Sequence, residues 1–396
     1  MSKSFTDQSS VFIDETVLYD TWTPEELPER EGELDDLHDA LAPVARGAAP
    51  HNTFVYGKTG QGKTVGVNFK LKGLAGFAEE NGIDLSVVRY SCAKDSSSYQ
   101  VASNLVDQLS GSKPRGYDLK TVFDLLYDEL QELGGTVIIV LDEIDSIGTN
   151  DEILYELPRA RANGHLEEMW VSVIGISNDF EFRDNLSPKV KDTLCDEEIH
   201  FSPYNANELR SILSRRADKA FHDGVLADDV IPLCSALAAQ DKGSARQAIR
   251  YLYKAGELAA NSTEDKVTVN HVREAEEAIE RKSIEKGIRD LTTQDHLALM
   301  AIVALETEGK APARTREVYS RYKDIANKID ADTIAMRRVR DHLQDLDLAG
   351  VVNAIEKNQG LRGGHHYVFE VSADLGMTID VLQENDRLGD AMDLLT

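Results

Sequence analysis

A glycine-rich segment of eight residues constrains the fold of this 396-residue chain more than any other feature. The run Gly57-Lys58-Thr59-Gly60-Gln61-Gly62-Lys63-Thr64 fits G-x-x-x-x-G-K-[ST] at every fixed position and directly follows the apolar run 53–56. Glycines let a backbone wrap around phosphate oxygens, and the N-terminal end of a following helix favours the same anions. We expect this loop to cradle a nucleotide, with Lys63 on its β- and γ-phosphates and Thr64 on Mg²⁺. A chance glycine-rich turn is the alternative.

A second apolar run, residues 137–141, ends in three carboxylates. Open α/β sheets bind ligands at the carboxyl ends of their strands, so these acids are expected beside the glycine-rich loop. Asp142 is suited to hold Mg²⁺ through water, and Glu143 is suited to act as the general base on the attacking water. For Asp145, capping of the following helix is the plainer alternative.

Two further residues complete the predicted phosphate site. Asn178 follows a third apolar run, residues 171–177, and its amide could orient water near the γ-phosphate. Arg246 opens a later helix and could reach the same phosphate from a lid. Taken singly, a turn asparagine and a surface arginine are the simpler interpretations. Together with the two preceding motifs, in this order, they predict a site for ATP or ADP with Mg²⁺.

The pattern of helices and strands predicts three parts. Strand-like and helical segments alternate as far as residue 204, which indicates a parallel sheet covered by helices on both faces. From about 205 to 287 only helical periodicity remains, and this predicts an all-helical lid. From 288 to 396, three helices followed by two strands around a glycine-rich turn predict a winged helix-turn-helix.

The segments PEELPERE, YGKTGQGKT, VLDEID, GISN, HFSPYNANELRSIL and GSARQAIRYLYKAGELA, together with the C-terminal wing, resemble archaeal replication initiators. These are AAA+ ATPases related to the eukaryotic origin recognition complex and its helicase-loading partner. The resemblance runs from about residue 14 to 371. It implies binding of origin duplex DNA, recruitment of the ring-shaped MCM helicase, and contact with other initiator protomers.

The resemblance also implies roles for single residues. Asp142 and Glu143 match the Walker B pair, Asn178 matches sensor one, and Arg246 matches sensor two. Tyr204 and Arg216 match positions that line the nucleotide where base and lid meet.

One position departs from the family pattern, because Lys189 stands where these proteins usually carry an arginine finger. A lysine lacks the planar fork of a guanidinium, which indicates a divergent paralogue. The departure supports an alternative function, that of a DNA-binding regulator or scaffold that holds nucleotide with little turnover. A clamp-loader or signalling ATPase is a third possibility, against which the C-terminal wing argues.

The winged-helix segment is locally basic in an acidic chain. Residues 310–362 carry eleven Lys and Arg against eight Asp and Glu, a local net of +3, whereas the whole chain has a net charge of −27. Arg337, Arg338 and Arg340 lie on the predicted recognition helix, and Arg362 in the wing turn is placed to enter a narrow minor groove. The alternative is a protein-binding domain whose arginines pair with acids at 341, 345 and 347.

The acidic surplus is spread over nearly every segment, which is typical of a surface adapted to high salt and indicates a halophilic source. The polar first residues do not resemble a secretory leader, and the longest relevant apolar run has five residues, so we expect no membrane association. Three scattered cysteines indicate neither a disulfide framework nor a zinc site. These features predict a cytoplasmic protein, and the resemblance implies a nucleoid-associated ATPase that initiates DNA replication through slow, switch-type hydrolysis.

Overall fold

The computed structural model describes residues 11–262, 264–358, 365–385 and 388. The chain forms two compact units, Met1–Val272 and Arg273–Thr396, and each is considered by itself. The predicted domain limits, 1–204, 205–287 and 288–396, remain predictions. Within the described ranges, no helix is long and apolar enough to cross a membrane.

The first unit contains a five-stranded parallel sheet in the order β2-β3-β4-β1-β5. The strands are β1 Thr53–Tyr56, β2 Leu85–Ser91, β3 Thr136–Asp142, β4 Trp170–Ser177 and β5 Glu197–His200. The helices that alternate with them are α1 Glu31–Leu41, α2 Lys63–Asn81, α3 Ser98–Ser110, α4 Leu119–Leu133, α5 Glu152–Arg159, α6 Phe182–Asn185 and α7 Pro188–Leu194. The interior strand β3 is buried along six of its seven residues, because apolar clusters cover both of its faces. The predicted fold class is confirmed.

A run of helices follows the sheet. They are α8 Ala206–Ala220, α9 Val230–Asp241, α10 Ala245–Asn261 and α11 Val269–Arg289. A capping box fixes the start of α8: the Asn205 side chain accepts from the backbone of Glu208, and the Glu208 carboxylate accepts from the backbone of Asn205. Ser244 caps α10 in the same region by accepting from the backbone of Gln247. This cap places the start of α10 next to the glycine-rich loop.

The second unit is a winged helix-turn-helix with more strands than the sequence predicts. Its elements are α12 Thr293–Thr307, β6 Ala313–Arg314, α13 Thr315–Lys328, α14 Met336–Leu348, β7 Val352–Asn358, β8 His365–Val371 and α15 Leu375–Gln383. The strands form an antiparallel sheet in the order β6-β8-β7, so β6 joins the predicted pair. The wing turn with Arg362 lies outside the described residues.

The helix-turn-helix is held by a buried tyrosine. Tyr322 is fully buried, its hydroxyl donates to Gln294 Oε1 at 2.5 Å, and it accepts from the backbone N–H of Ile334 at 3.1 Å. Ile334 belongs to the turn between α13 and α14, so this hydroxyl ties the turn to α12. The start of α14 is thereby fixed.

Candidate functional site

The glycine-rich loop adopts backbone conformations that other residues rarely adopt. Gly57, Gly60 and Gly62 have φ values of 147°, 83° and 91°. A Cβ atom on Gly57 would lie 2.3 Å from the backbone oxygen of Phe201, so the loop packs closely on the end of β5. Helix α2 begins directly after Gly62 and directs its first N–H groups into the loop. The geometry is that of an anion cradle at the carboxyl edge of the sheet.

The ammonium of Lys63 is the centre of this cradle. It donates to the backbone oxygens of Gly57 at 2.7 Å and Lys58 at 2.9 Å, and to Asn178 Oδ1 at 2.9 Å. Burial lowers the pKa of Lys63 to about 8, against the opposing effect of nearby carboxylates, chiefly Asp142. The structure therefore brings together two residues that are 115 positions apart in the sequence.

Thr64 and Asp142 join the glycine-rich loop to the carboxylates that follow β3. The Thr64 hydroxyl donates to Asp142 Oδ2 at 2.7 Å, and the backbone N–H of Glu143 donates to the other oxygen at 2.9 Å. Desolvation raises the pKa of Asp142, and these hydrogen bonds partly offset the shift. A hydroxyl and a carboxylate side by side fit Mg²⁺, which takes oxygen ligands and usually retains several waters.

Glu143 and Asn178 are each held by a neighbour that sequence reasoning did not assign to them. Glu143 has a left-handed φ of 57°, and its carboxylate accepts from the Ser91 hydroxyl at 3.0 Å. Asp145 accepts from the backbone N–H of Asn178 at 3.0 Å. Asp145 therefore positions the end of β4, where the sequence had left a helix cap as the plainer role.

A cavity of about 810 Å³ opens beside these groups. It is lined by the loop from Thr59, by Asp142, Glu143 and Asn178, and by residues of the helical run and the N-terminal segment. Of the predicted residues, the structure brings the following to this cavity: Thr59, Gly60, Gly62, Lys63, Thr64, Asp142, Glu143, Asn178, Tyr204, Arg216 and Arg246. Gly57, Lys58 and Gln61 do not line it. Lys189 does not line it either, and its ammonium lies 5.9 Å from the Tyr155 ring centre.

The cavity also joins the loop to the start of α10. The backbone N–H of Ala245 donates to the Gly60 oxygen at 3.0 Å, and a Cβ on Gly60 would lie 2.0 Å from Ser244 Oγ. The next residue, Arg246, lines the cavity, with its Nε 3.7 Å from Asp20. The first turn of α10 therefore rests on the phosphate loop.

An N-terminal segment that the sequence did not assign to the site forms one wall of the cavity. Tyr19, Asp20 and Trp22 lie there, and the Arg216 guanidinium is 4.5 Å from the Trp22 ring centre. Burial lowers the pKa of Arg216 to about 10. The signal that could have revealed this wall is the presence of aromatic residues at 19 and 22 directly after the apolar pair at 17 and 18.

Arg30 is a second feature of the site that the sequence did not predict. Only 3% of it is exposed, and its guanidinium lies 3.7 Å from the Tyr204 ring centre. It donates to the backbone oxygens of Gln61 at 3.1 Å and Ser202 at 2.5 Å, and it pairs with Glu33 at 2.6 Å. Arg30 thus links α1, the phosphate loop and the segment after β5. In the sequence it stands in a charged run that is typical of a solvated surface.

The predicted DNA-contact residues lie on the surface of the second unit. Arg337, Arg338 and Arg340 are exposed on α14. Arg340 lies 3.9 Å from Asp341, and among the described residues Arg337 and Arg338 make no ion pair. Arg362 falls outside those residues.

Comparison with known proteins agrees with this architecture. Residues 48–183 match the family model of an AAA domain, residues 210–277 match the Cdc6 AAA+ ATPase-type lid domain, and residues 286–381 match the CDC6 C-terminal winged-helix domain. The chain is 45% identical to ORC1-type DNA replication protein 1 of Haloarcula marismortui, across 98% of this chain and 96% of that protein. The chain belongs to the ORC1-type family of DNA replication proteins.

Other members of the ORC1-type family match over most of their length. The protein from Thermococcus kodakarensis is 41% identical, across 89% of this chain and 86% of its own. The structure of Aeropyrum pernix ORC1 in complex with DNA superposes with a TM-score of 0.84 and 36% identity, covering 96% of this chain and 98% of that one. An ORC1-type replication initiator with an AAA+ ATPase domain and a winged helix is therefore shown, and membership of this ATPase class implies nucleotide binding.

Proposed function

We propose that this protein is an ATP-dependent replication initiator that binds origin duplex DNA and recruits or loads the MCM replicative helicase. ATP binding and slow hydrolysis act as its switch. The observation that carries the proposal is the contact network in which Lys63, Thr64, Asp142 and Asn178 meet beside a cavity that Arg246 also lines. Family membership supports the assignment to origins and to the helicase.

The proposed roles follow from the contacts. The loop N–H groups and Lys63 hold the phosphates, and Thr64 and Asp142 hold Mg²⁺, which supplies neutralising charge to the phosphate oxygens when bound. Glu143 accepts a proton from the attacking water, and Asn178 orients that water. Arg246 contacts the terminal phosphate from α10, so loss of that phosphate removes an attraction between the loop and the helical run.

Calorimetry with magnesium tests nucleotide binding. We expect wild type to bind ATP and Lys63→Ala to lose most of that affinity, because the mutant loses the cradle's central charge. Lys70→Ala, on the same helix but outside the cavity lining, is the matched control and should bind as wild type does. A wild type without affinity for adenine nucleotides, or an unchanged Lys63→Ala, would remove the basis of the proposal.

Single-turnover hydrolysis tests the role of Glu143. Glu143→Gln should bind ATP and lose about 10² or more in rate, since a positioned general base contributes about that much. Glu25→Gln changes another carboxylate that lines the cavity, one paired only loosely with Lys219 at 3.9 Å, and should hydrolyse ATP at the wild-type rate. Equal losses in both variants would contradict the assigned base.

Lys189 favours the second candidate function, that of a nucleotide-holding regulator or scaffold. A lysine cannot offer the bidentate fork with which an arginine finger stabilises a neighbour's transition state. Negligible, identical rates for wild type and Glu143→Gln would favour the scaffold. A large gain in hydrolysis rate in Lys189→Arg, measured on origin DNA that holds several protomers, would indicate that only the arginine finger is missing.

Duplex binding is tested separately from ATP binding. Arg362→Ala should weaken duplex binding in a salt-controlled titration and leave ATP binding intact. Capture of purified MCM hexamer on initiator-bound duplex tests recruitment. Mapping of DNA occupancy in cells separates the two candidates, because an initiator predicts peaks at replication origins and a regulator predicts peaks at promoters.

A further inference from the structure

The orientation of α14 is fixed by the apolar side chains that it buries. Val339, Leu343 and Leu346 are fully buried in the core of the second unit. Successive residues of an α-helix are about 100° apart, so the opposite side carries Arg337, Asp341 and Gln344. Arg340 and Arg338 lie on opposite flanks of the helix, each about 70–90° from that outward direction. The outward residues 337, 341 and 344 are spaced i, i+4, i+7.

Two of these outward side chains have no polar partner within the part of the chain that the structure describes. Among the described residues, Arg337 and Gln344 make no hydrogen bond, and Arg337 forms no ion pair. Arg340 and Asp341 are 3.9 Å apart with about half of each side chain exposed, which is a weak surface pair. The outward face therefore offers free donors and acceptors at fixed positions.

The chemistry of this face suits base edges better than phosphates. Arginine donates two hydrogen bonds to guanine O6 and N7, and glutamine pairs with adenine N6 and N7. Asp341 lies between them and would be repelled by phosphate, but a carboxylate accepts a hydrogen bond from the cytosine amino group. From Arg337 to Gln344 the helix rises about 10 Å, which is about three base-pair steps.

We propose that Arg337 and Gln344 determine the DNA sequence that this protein reads, with guanine opposite Arg337 and adenine opposite Gln344. Arg338, on the flank, contacts the phosphate backbone and carries affinity without sequence preference. The proposal rests on the proposed binding of duplex DNA and deepens it. Base contacts come from the outward stripe of α14, and backbone contacts come from its side.

Selection of binding sites from a random 20-base-pair duplex pool with the full-length protein tests the assignment. Wild type should select a motif containing both a guanine and an adenine position. Gln344→Ala should lose the adenine preference alone, by roughly five- to hundredfold against other bases, and Arg337→Ala should lose the guanine alone. Arg338→Ala is the matched control: it should select the wild-type motif with uniformly weaker binding and a shallower salt dependence.

Gln344→Glu is the decisive variant, because it should change the preferred base from adenine to cytosine. A misfolded protein could not acquire a new preference. An unchanged motif in Gln344→Ala, or a motif position erased by Arg338→Ala, would overturn the assignment, as would a wild type that binds duplex without selecting any motif. A wild type that binds no duplex at any salt concentration would instead refute the proposed DNA binding itself.

Discussion

Replacing Arg30 with alanine should destabilise the first unit far more than its position in a charged run suggests. The guanidinium donates to the backbone oxygens of Gln61 and Ser202, pairs with Glu33, and lies over the Tyr204 ring. Hydrogen bonds from a charged group contribute about 1.5–3 kcal/mol each, and a buried cation over an aromatic ring about 2 kcal/mol. The desolvation of the guanidinium offsets part of that sum.

We therefore expect Arg30→Ala to lower the free energy of unfolding by about 3–5 kcal/mol, the range for breaking a buried charge contact. Arg215→Ala is the matched control. Arg215 pairs with Glu26 at 2.8 Å, but both side chains are more than half exposed, so its removal should cost less than about 1 kcal/mol. Urea unfolding at high salt, with the combined fluorescence of Trp22 and Trp170 as the probe, measures both variants.

High salt sharpens the comparison, since it screens the Arg215 pair and leaves the buried contacts of Arg30 largely unaffected. The free energy of unfolding of Arg30→Lys should lie between those of wild type and Arg30→Ala. A lysine ammonium lacks the planar guanidinium that contacts both backbone oxygens and the carboxylate at once. An Arg30→Ala variant within about 1 kcal/mol of wild type would refute the reasoning, and so would equal losses in Arg30→Ala and Arg215→Ala.

Three further changes have expected outcomes. Gly60→Ala should weaken ATP binding about tenfold by calorimetry, because its φ is 83° and the new Cβ would collide with Ser244. Tyr322→Phe should lower the unfolding free energy of the second unit by about 1–3 kcal/mol in urea, since the partly buried N–H of Ile334 loses its acceptor. Burial lowers the pKa of His296 below its ordinary 6.5, so the unfolded chain binds that proton more tightly. Stability should therefore fall as pH drops below about 6.5, and His296→Gln should reduce this loss in thermal melts.

Each of these changes has a control that makes the same substitution at another residue of the same type. Gly73→Ala faces open space on α2 and should leave ATP binding unchanged. Tyr319→Phe removes a hydroxyl that makes no hydrogen bond among the described residues, and it should unfold as wild type does. His51→Gln alters an exposed imidazole and should keep the acid sensitivity. Agreement between any test variant and its control would contradict the mechanism assigned to that residue.

The sequence predicted elements with a strong period or a buried run and omitted those without one. Strand β3 was found because its apolar run is continuous, and α12 to α14 were found from their helical spacing. Strand β5, with the sequence EEIH, was omitted because it forms the sheet edge and buries only Ile199. Strand β6 has only two residues and is recognised as a strand only by its pairing with β8.

The same limit applies to the candidate site. Lys63, Thr64, Asp142 and Asn178 were predicted because local motifs place them at strand ends, and the structure brings them into contact. Arg30 carries no local signal of burial. Its role depends on Tyr204 and Ser202, which come close to it only when β5 aligns beside β1. A charged run in the sequence does not indicate which distant segments will pack on it in the folded chain.

An ammonium group has three protons, and in this molecule Lys63 has three oxygen partners for them. Any phosphate that Lys63 receives must therefore be taken in exchange for one of those oxygens. The contribution of Lys63 to phosphate affinity is then the difference between the hydrogen bond that it gains and the one that it gives up. This exchange keeps binding reversible. If the Asn178 oxygen is the one released, the Asn178 side chain is freed whenever a phosphate arrives, while Asp145 still holds the backbone at the end of β4. The nucleotide state then sets the orientation of the Asn178 amide.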